Sequence, residues 1–299
     1  MNFGDWLDEF IPPEYATYVP LVERVLGSFL GQIPHNAPVT DLPSYLRQCP
    51  TLHKLGQLLA RDPRLGLELR QRLSSLESCL PLSKIEDYEW PPDLVPSLAL
   101  AEGSVASVFV CRWGSTEVVA KRLKPGIEQQ LTGELAIWRH MTRSVADWCQ
   151  QDSLPSVDFE SLVLSLSRLL QDELRPQQEQ QQLQRAAQYF LNWPEIQVPQ
   201  VYPQLLLDGV VMERLRGGPL LDHPDAKNHF ALAIRVLLSD PFFSEDELGV
   251  FHLDPHPGNL WVTDEGRLAL LDWGSTLSLS KHQRILLTQA ILAAWRGDH

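Results

Sequence analysis

The sequence predicts an α+β fold with two lobes: a helical N-terminal extension, a small β-rich lobe and a short helical lobe. Residues 1–92 have helical hydrophobic spacing interrupted by prolines, for example at Pro91-Pro92. Residues 97–123 instead alternate small, β-branched and polar residues, which is typical of strands. Residues 128–192 return to helical spacing. We therefore predict three segments: an extension over 1–92, an N-lobe with inserted helices over 93–216 and a short C-lobe over 217–299.

The composition limits the classes of protein that the chain can be. Its 299 residues and 44% hydrophobic content are enough for one large or two modest domains with a core. The 38 acidic and 25 basic residues give a net charge of −13, which argues against a nucleic-acid binder, because clustered Lys and Arg hold phosphate backbones. The four cysteines form no CxxC pair. We expect no zinc site, no disulfide framework and a reducing compartment, the cytoplasm.

No segment of the sequence predicts export or membrane insertion. The N-terminus opens with acidic residues rather than the basic and apolar regions of a signal peptide, and no run of about 18 apolar residues occurs. Residues 15–30 predict an amphipathic helix. We expect this helix to pack on its own domain, with peripheral contact with a membrane as the alternative.

Three strands are predicted between Ser97 and Leu123. A small-residue loop, AEGSVAS, separates the first two, and a tight turn at Gly114-Ser115 separates the last two. Such a loop lets backbone N–H groups approach a phosphate. Lys121 falls at the end of the third strand, where it is either a solvated lysine or a contact for phosphates.

The second half of the chain predicts helices joined by short strands and turns. The Gln-rich stretch PQQEQQQLQRAAQYF belongs to a helix over 172–190, which supplies Glu173 and Glu179. Two short strands around Asp208-Gly209, a loop at Gly217-Gly218 and a helix over 224–240 follow. NLWVTDEGRLALLDW predicts a hairpin that turns at 264–266, and the last helix covers 281–296.

The pattern with the most chemical content is HLDPHPGN, residues 252–259, followed by the hairpin and Asp272. Asp254 and Asn259 have the spacing of the catalytic loop of protein kinases, and the hairpin returns the chain so that Asn259 and Asp272 can reach one metal ion. Phosphoryl transfer from a nucleotide needs such oxygen ligands for Mg²⁺ and a carboxylate near the acceptor. His252 can brace the loop through a backbone hydrogen bond.

Each residue of this pattern also has a simpler interpretation. Asp and Asn before turns are common caps. His252 is either a structural histidine or, with His256, part of a metal-binding cluster of the metallohydrolase type. The joint pattern favours a protein-kinase-like fold that binds a magnesium nucleotide.

With these motifs identified, residues 52–279 resemble the UbiB family of atypical protein-kinase-like proteins, also called the AarF, ADCK or ABC1 kinase-like group. The stretch from Lys54 to Gln57 (KLGQ) matches the family's KxGQ motif. In the family this motif lies on a helical extension that restricts access of protein substrates. The loop AEGSVAS matches the Ala-rich loop that replaces the Gly-rich loop of other kinases, with Ala101, Ser104 and Ala106 at its small positions.

The resemblance implies roles for charged residues of the inserted helices. Lys121 matches the lysine that contacts nucleotide phosphates, and Glu179 matches the glutamate expected to pair with it. Glu173 fits the first position of the ExD motif, expected to interact with Lys54. Arg175 stands where the family has Asp, a charge reversal that bears on how the extension docks.

The resemblance also implies roles in the second half. Backbone groups from Glu213 to Leu215 would meet adenine, Asn259 and Asp272 would bind Mg²⁺, and Asp254 would position or deprotonate the acceptor. Trp273 replaces the Phe of the usual Asp-Phe-Gly. Because 25 residues follow Gly274, we expect a minimal C-lobe.

The function that the resemblance implies is an ATPase or kinase that binds Mg-ATP between two lobes. Its role would be to support ubiquinone or another prenyl-lipid pathway, with prenyl lipids or lipid-biosynthesis proteins as partners. Two alternatives remain open. Aminoglycoside and choline phosphotransferases share HxDxHPGN and Asp-Trp-Gly but lack the KLGQ extension, and a pseudokinase scaffold would bind nucleotide with little turnover.

Overall fold

The computed structural model describes residues 19–32, 48–63, 66–74, 83–206 and 208–297, which fall into two compact units. The first unit takes its residues from 1–90, 96–109 and 121–174, and the second from 91–95, 110–120 and 175–299. These two units do not test the segment boundaries predicted at 92 and 216, which remain predictions.

The first unit is mainly helical. Its helices are α1 (Val19–Leu30), α2 (Pro50–Ala60), α3 (Leu67–Ser74), α4 (Ile127–Gln151) and α5 (Phe159–Glu173). α2 starts with Pro50, a residue suited to the first helical position because its missing N–H would have no partner there. α4 is the central helix, in contact with α1, α2 and α5. Its Trp138 ring stacks on Phe29 of α1 at a centroid distance of 4.0 Å, so the amphipathic helix packs on its own domain as predicted.

A four-stranded sheet has the strand order β1-β2-β3-β5. Its strands are β1 (Leu94–Glu102), β2 (Ala106–Trp113), β3 (Thr116–Leu123) and β5 (Gly209–Glu213). The three strands predicted before Leu123 are therefore confirmed. Gly114 has φ of +59°, which suits glycine in the tight turn between β2 and β3.

The second unit combines helices with two small sheets. Its helices are α6 (Pro176–Tyr189), α7 (Ala226–Ile234), α8 (Asp240–Phe243) and α9 (Lys281–Arg296). One sheet has the order β4-β9-β8-β6, and the other pairs β10 with β7. The strands are β4 (Ile196–Gln197), β6 (Gly217–Pro219), β7 (Leu248–His252), β8 (Leu260–Thr263), β9 (Leu268–Leu270) and β10 (Thr276–Ser280). The core of this unit includes Leu183 of α6, Leu268 of β9 and the fully buried Trp273.

The hairpin and the last helix are confirmed. β8 and β9 are antiparallel with Leu260 opposite Leu270, and Gly266 in the turn has φ of +77°. α9 has the predicted bounds, and its N-cap Ser280 accepts a hydrogen bond from the Gln283 N–H. The hairpin thus returns the chain from Asn259 to Asp272, as the spacing indicates.

The helix predicted over 172–190 is wrong, because it is two helices. α5 ends at Glu173, and Pro176 opens α6. A proline disfavours helical geometry in the residue before it, and Arg175 has φ of −113° and ψ of 73°. Glu173 and Glu179 therefore lie on different helices.

Three smaller expectations also need correction. The segment before Asp208 contains a 3₁₀ turn, Pro203–Leu205, in place of a full strand. Gly217-Gly218 belongs to strand β6 instead of a loop. The helix predicted over 224–240 runs from 226 to 243, with a π-helical turn at Arg235–Ser239 between α7 and α8.

Some predicted features lie outside the described residues. They include the start of the amphipathic helix at Tyr15, the proline pair Pro12-Pro13 and the prolines from Pro34 to Pro43. In the described part of the chain, no helix is both long enough and apolar enough to span a membrane.

Candidate functional site

His252 braces the loop that carries Asp254. It is the last residue of β7 and is 6% exposed. Its Nδ1 accepts a hydrogen bond from the Asp254 N–H at 3.2 Å, and its Nε2 lies 3.0 Å from the Leu271 carbonyl oxygen. Because Nδ1 is the acceptor, Nε2 carries the proton and donates to Leu271. The predicted bracing is confirmed, and it links the Asp254 loop to the residue before Asp272.

Asn259 is held in the same loop by three backbone contacts. Its N–H donates to the His256 carbonyl, and its carbonyl accepts from the Leu271 N–H, both at 2.9 Å. Its side-chain NH₂ donates to the Asp254 carbonyl at 3.1 Å. With the NH₂ group engaged, the side-chain carbonyl oxygen is the atom that Asn259 can offer to a cation.

Asp272 follows β9 and has a strained backbone. Its φ of +47° places a non-glycine residue in the left-handed region, which costs about 1–2 kcal/mol. Its Oδ1 accepts a hydrogen bond from the Gly274 N–H at 3.1 Å. Trp273 fixes the strained turn: its indole N–H donates to Leu270 at 3.0 Å, and its ring meets His252 edge to face at 4.8 Å. Strain retained in this way is typical of functional sites.

Glu179 lies near Asp272 in the second unit. A Cβ built on Gly274 would be 3.2 Å from Asp272 Oδ1 and 3.9 Å from Glu179 Oε2. Both carboxylates therefore lie within 4 Å of one point, and Glu179 is only 8% exposed.

The donor set in the second unit suits Mg²⁺. This ion is commonly held by one or two carboxylates together with water and phosphate oxygens, and the side chains of Asn259 and Asp272 carry oxygens of the kind that it prefers. Among the residues described, no group of three or more His, Cys, Asp or Glu side chains is placed to hold a metal. The alternative of a metallohydrolase cluster with His252 and His256 therefore has no support in the structure, since Nδ1 of each ring accepts a backbone N–H.

A second cluster, in the first unit, joins the KLGQ helix to the small-residue loop. Lys54 on α2 forms an ion pair with Glu173 at the end of α5. The other oxygen of Glu173 accepts a hydrogen bond from the Ser104 hydroxyl at 2.6 Å. The contact between Lys54 and Glu173 that the resemblance implies is thus formed, although Arg175 stands where the family has Asp. The contact with Ser104 was missed, because nothing in the sequence links residues 69 positions apart.

The small-residue loop is held from its other side by Glu102. This carboxylate is 9% exposed, pairs with Lys124 at 2.7 Å and accepts from the Ser83 N–H at 3.1 Å. Within the loop, the Gly103 N–H donates to Ala106. Ala101 is half-buried, and Ser104 and Ala106 are buried. The loop is therefore anchored at both Glu102 and Ser104.

α2 itself is anchored by a buried carboxylate. Glu134 of α4 is 3% exposed, and its Oε2 accepts from the Thr51 N–H at 3.0 Å and from the Thr51 hydroxyl at 2.6 Å. Burial raises the pKa of Glu134 above its ordinary value, although the bonds from Thr51 and Gln130 oppose the shift. The Trp138 indole completes the network by donating to the Thr51 hydroxyl at 2.9 Å.

The structure gives the positions of the remaining predicted site residues but does not test their roles. Lys121 is half-buried on β3, and Gln57 is half-buried on α2. The Glu213 N–H donates to Gln200 at 2.7 Å. An adenine contact in this segment would therefore use the Glu213 carbonyl and the backbone of Leu215, and it stays a prediction, as does the pairing of Glu179 with Lys121.

The fold and these motifs define a protein-kinase-like protein. The chain belongs to the ABC1 atypical kinase-like family, whose family model matches residues 96–299. It is 29% identical over 279 residues to the probable protein kinase UbiB of Cellvibrio japonicus, covering 84% of this chain and 49% of that protein. It is 27% identical over 279 residues to the chloroplastic protein ACTIVITY OF BC1 COMPLEX KINASE 1 of Arabidopsis thaliana, covering 84% of this chain and 39% of that one.

A solved structure shares the fold. It is described as the complex structure of Rv3197-erythromycin from Mycobacterium tuberculosis, with a TM-score of 0.50 and 22% identity. The match covers 88% of this chain and 61% of that one. The chain thus spans 61% of the length of this structure and only 49% and 39% of the lengths of the two curated relatives.

Proposed function

We propose that this protein binds Mg-ATP and hydrolyses it, with Asn259 and Asp272 as the protein ligands of Mg²⁺. The observation that carries the proposal is the bonded connection from His252 to Leu271 and from Leu271 to Asn259. It ties the Asp254 loop to Leu271, which lies between the end of β9 and Asp272. Asn259 and Asp272 would hold Mg²⁺, and the ion would supply positive charge next to the phosphates of the nucleotide.

Asp254 is the proposed catalytic carboxylate. Its side chain is 36% exposed, so it can meet a water molecule or another acceptor, and His256 Nε2 lies 3.9 Å from its Oδ2. In hydrolysis, a water oxygen bonds to the γ-phosphorus and the bond from that phosphorus to the bridging oxygen of ADP breaks. Asp254 orients the water and accepts its proton.

Lys121 is proposed to contact the phosphates and Glu179 to orient it. Lys54, Gln57 and Glu173 are proposed to hold the extension in its restrictive position. The ion pair of Lys54 with Glu173 supports this proposal. A role in ubiquinone or another prenyl-lipid pathway is proposed from the family resemblance alone. Peripheral membrane contact is a separate proposal, which rests on the apolar residues of the helix predicted over 15–30.

The experiment that tests this function measures phosphate release from ATP with Mg²⁺. Asp254→Asn keeps the size of the side chain but removes the base, so the rate should fall about 100-fold. Asp264→Asn, on the exposed hairpin turn, is the matched control and should keep the wild-type rate. A wild-type chain that binds ATP without turnover would indicate a scaffold, and equal rates for wild type and Asp254→Asn would refute the catalytic role.

A further inference from the structure

A cavity of about 760 Å³ in the first unit is not part of the clusters described above. It lies between α4 and α5. Arg139, His140, Arg143 and Ser144 of α4 form one wall, and Val163 and Leu164 of α5 form the other. None of these residues belongs to the KLGQ helix, the small-residue loop or the motif at residues 252–259.

The α4 wall is basic. Arg139 and Arg143 are four residues apart, which places their Cβ atoms about 5–6 Å from each other on one helix face. Arg139 donates a hydrogen bond to the Ser167 hydroxyl on α5 at 3.3 Å, which directs its guanidinium towards α5. In the described part of the chain, neither arginine forms an ion pair. Both arginines are exposed, so a ligand can reach their guanidinium groups from solvent, and the paired positive charge favours an anionic ligand.

The α5 wall is largely apolar. Val163 is buried at 3% exposure, and Leu164, which is 43% exposed, offers hydrocarbon surface to the cavity. Among the described residues, Glu160 is the one acidic residue that lines it. A ligand that matches both walls has an anionic group at one end and an apolar body.

We propose that this cavity binds a phosphate ester with an apolar substituent. Arg139 and Arg143 hold the phosphate, because the planar guanidinium fork matches phosphate oxygens in paired hydrogen bonds. Leu164 contacts the apolar part. The same chemistry occurs in a soluble phosphomonoester and in a phospholipid head group with its first acyl carbons.

The probe for the soluble source is phenyl phosphate, titrated into the full chain by calorimetry. Arg143→Ala removes a charge-assisted bond, so the affinity should fall roughly tenfold. Arg168→Ala removes an exposed arginine of α5 that does not line the cavity, and it should bind as wild type does. Glu160→Gln removes the competing carboxylate and should tighten binding about threefold, an effect that misfolding cannot produce.

The probe for the lipid source is sedimentation with phosphatidylcholine vesicles, with and without phosphatidic acid. Phosphatidic-acid-dependent binding that Arg143→Ala lowers, without phenyl phosphate binding, assigns the cavity to a lipid head group. Equal binding by wild type and Arg143→Ala in both assays overturns the proposal, as does failure to bind either probe. Phenyl phosphate binding that Asp272→Ala abolishes and Arg143→Ala retains also overturns it, since the ligand would then occupy the proposed nucleotide site.

Discussion

Removal of the buried carboxylate of Glu134 should destabilise the first unit strongly. Thr51 is the second residue of α2, so its N–H has no partner within the helix and depends on Glu134 Oε2. Glu134→Ala leaves that N–H and the Thr51 hydroxyl without their acceptor, and Thr51 is fully buried. Each buried group left without a partner costs about 1–3 kcal/mol. The variant also removes the desolvation cost of a buried carboxylate, which offsets part of this loss. We therefore expect a net loss of about 3 kcal/mol.

The assay for this loss is urea unfolding followed by circular dichroism, which gives the midpoint and the slope. Glu128→Ala, which removes an exposed carboxylate from the first turn of the same helix, is the matched control and should cost less than about 1 kcal/mol. Equal midpoints for Glu134→Ala and Glu128→Ala would refute the reasoning.

The pH dependence of the Glu134 contribution tests its physical origin. Since burial raises the pKa of Glu134 in the folded state, the folded chain holds this proton more tightly than the unfolded chain does. The stability that this difference contributes is fully present below the pKa of Glu134 in the unfolded chain. It is lost as the pH rises through the pKa of Glu134 in the folded chain. Relative to wild type, Glu134→Gln should therefore gain stability as the pH rises above about 4, the pKa of an unperturbed glutamate. A difference that does not change with pH would contradict the assigned cause.

Three further predictions concern single residues. Gly217→Ala should lose at least about 2 kcal/mol in urea unfolding, because Gly217 has φ of +143° and an added Cβ would lie 2.1 Å from the Val262 carbonyl oxygen. Gly266→Ala, with φ of +77° and open space around it, is its control and should lose only about 1 kcal/mol; a larger loss for Gly266→Ala would contradict the geometry. Tyr189→Phe should cost about 1–2 kcal/mol in the same assay, since the Tyr189 hydroxyl donates to Asp240 at 2.5 Å, and an unchanged midpoint would contradict that role. Burial and the nearby Glu134 raise the pKa of Cys49 to about 12, so iodoacetamide at pH 8 should modify it only after unfolding, as read by peptide mass spectrometry. Fast modification of the folded chain would contradict its burial.

Local patterns predicted much of the fold. The strands before Leu123, the hairpin and α9 follow from alternation, turn residues and helical spacing, and each is confirmed. The prediction of one helix over 172–190 is wrong because Pro176 begins a second helix, and proline is favoured at the first position of a helix. The pairing of β7 with β10 was missed, since no rule of local sequence joins strands that lie on either side of a hairpin.

The site was predictable to a similar degree. The spacing of Asp254, Asn259 and Asp272 indicated which residues the hairpin brings together, and His252 braces the loop as expected. The contact of Ser104 with Glu173 and the anchoring of Thr51 by Glu134 depend on tertiary packing of distant segments. The positive φ of Asp272 was also not predicted, because it depends on folded surroundings such as the contacts of Trp273.

Calorimetric titration of ATP, with and without Mg²⁺, tests the central claim most directly. Wild type should bind ATP more tightly with Mg²⁺ present, and Asp272→Ala should lose that dependence because it removes the carboxylate ligand of the ion. Asp264→Ala removes an exposed carboxylate of the hairpin turn, and this variant should keep the Mg²⁺ dependence of ATP binding. Mg²⁺-dependent affinity that is the same in wild type and Asp272→Ala would contradict the assignment of Asn259 and Asp272 as the metal site.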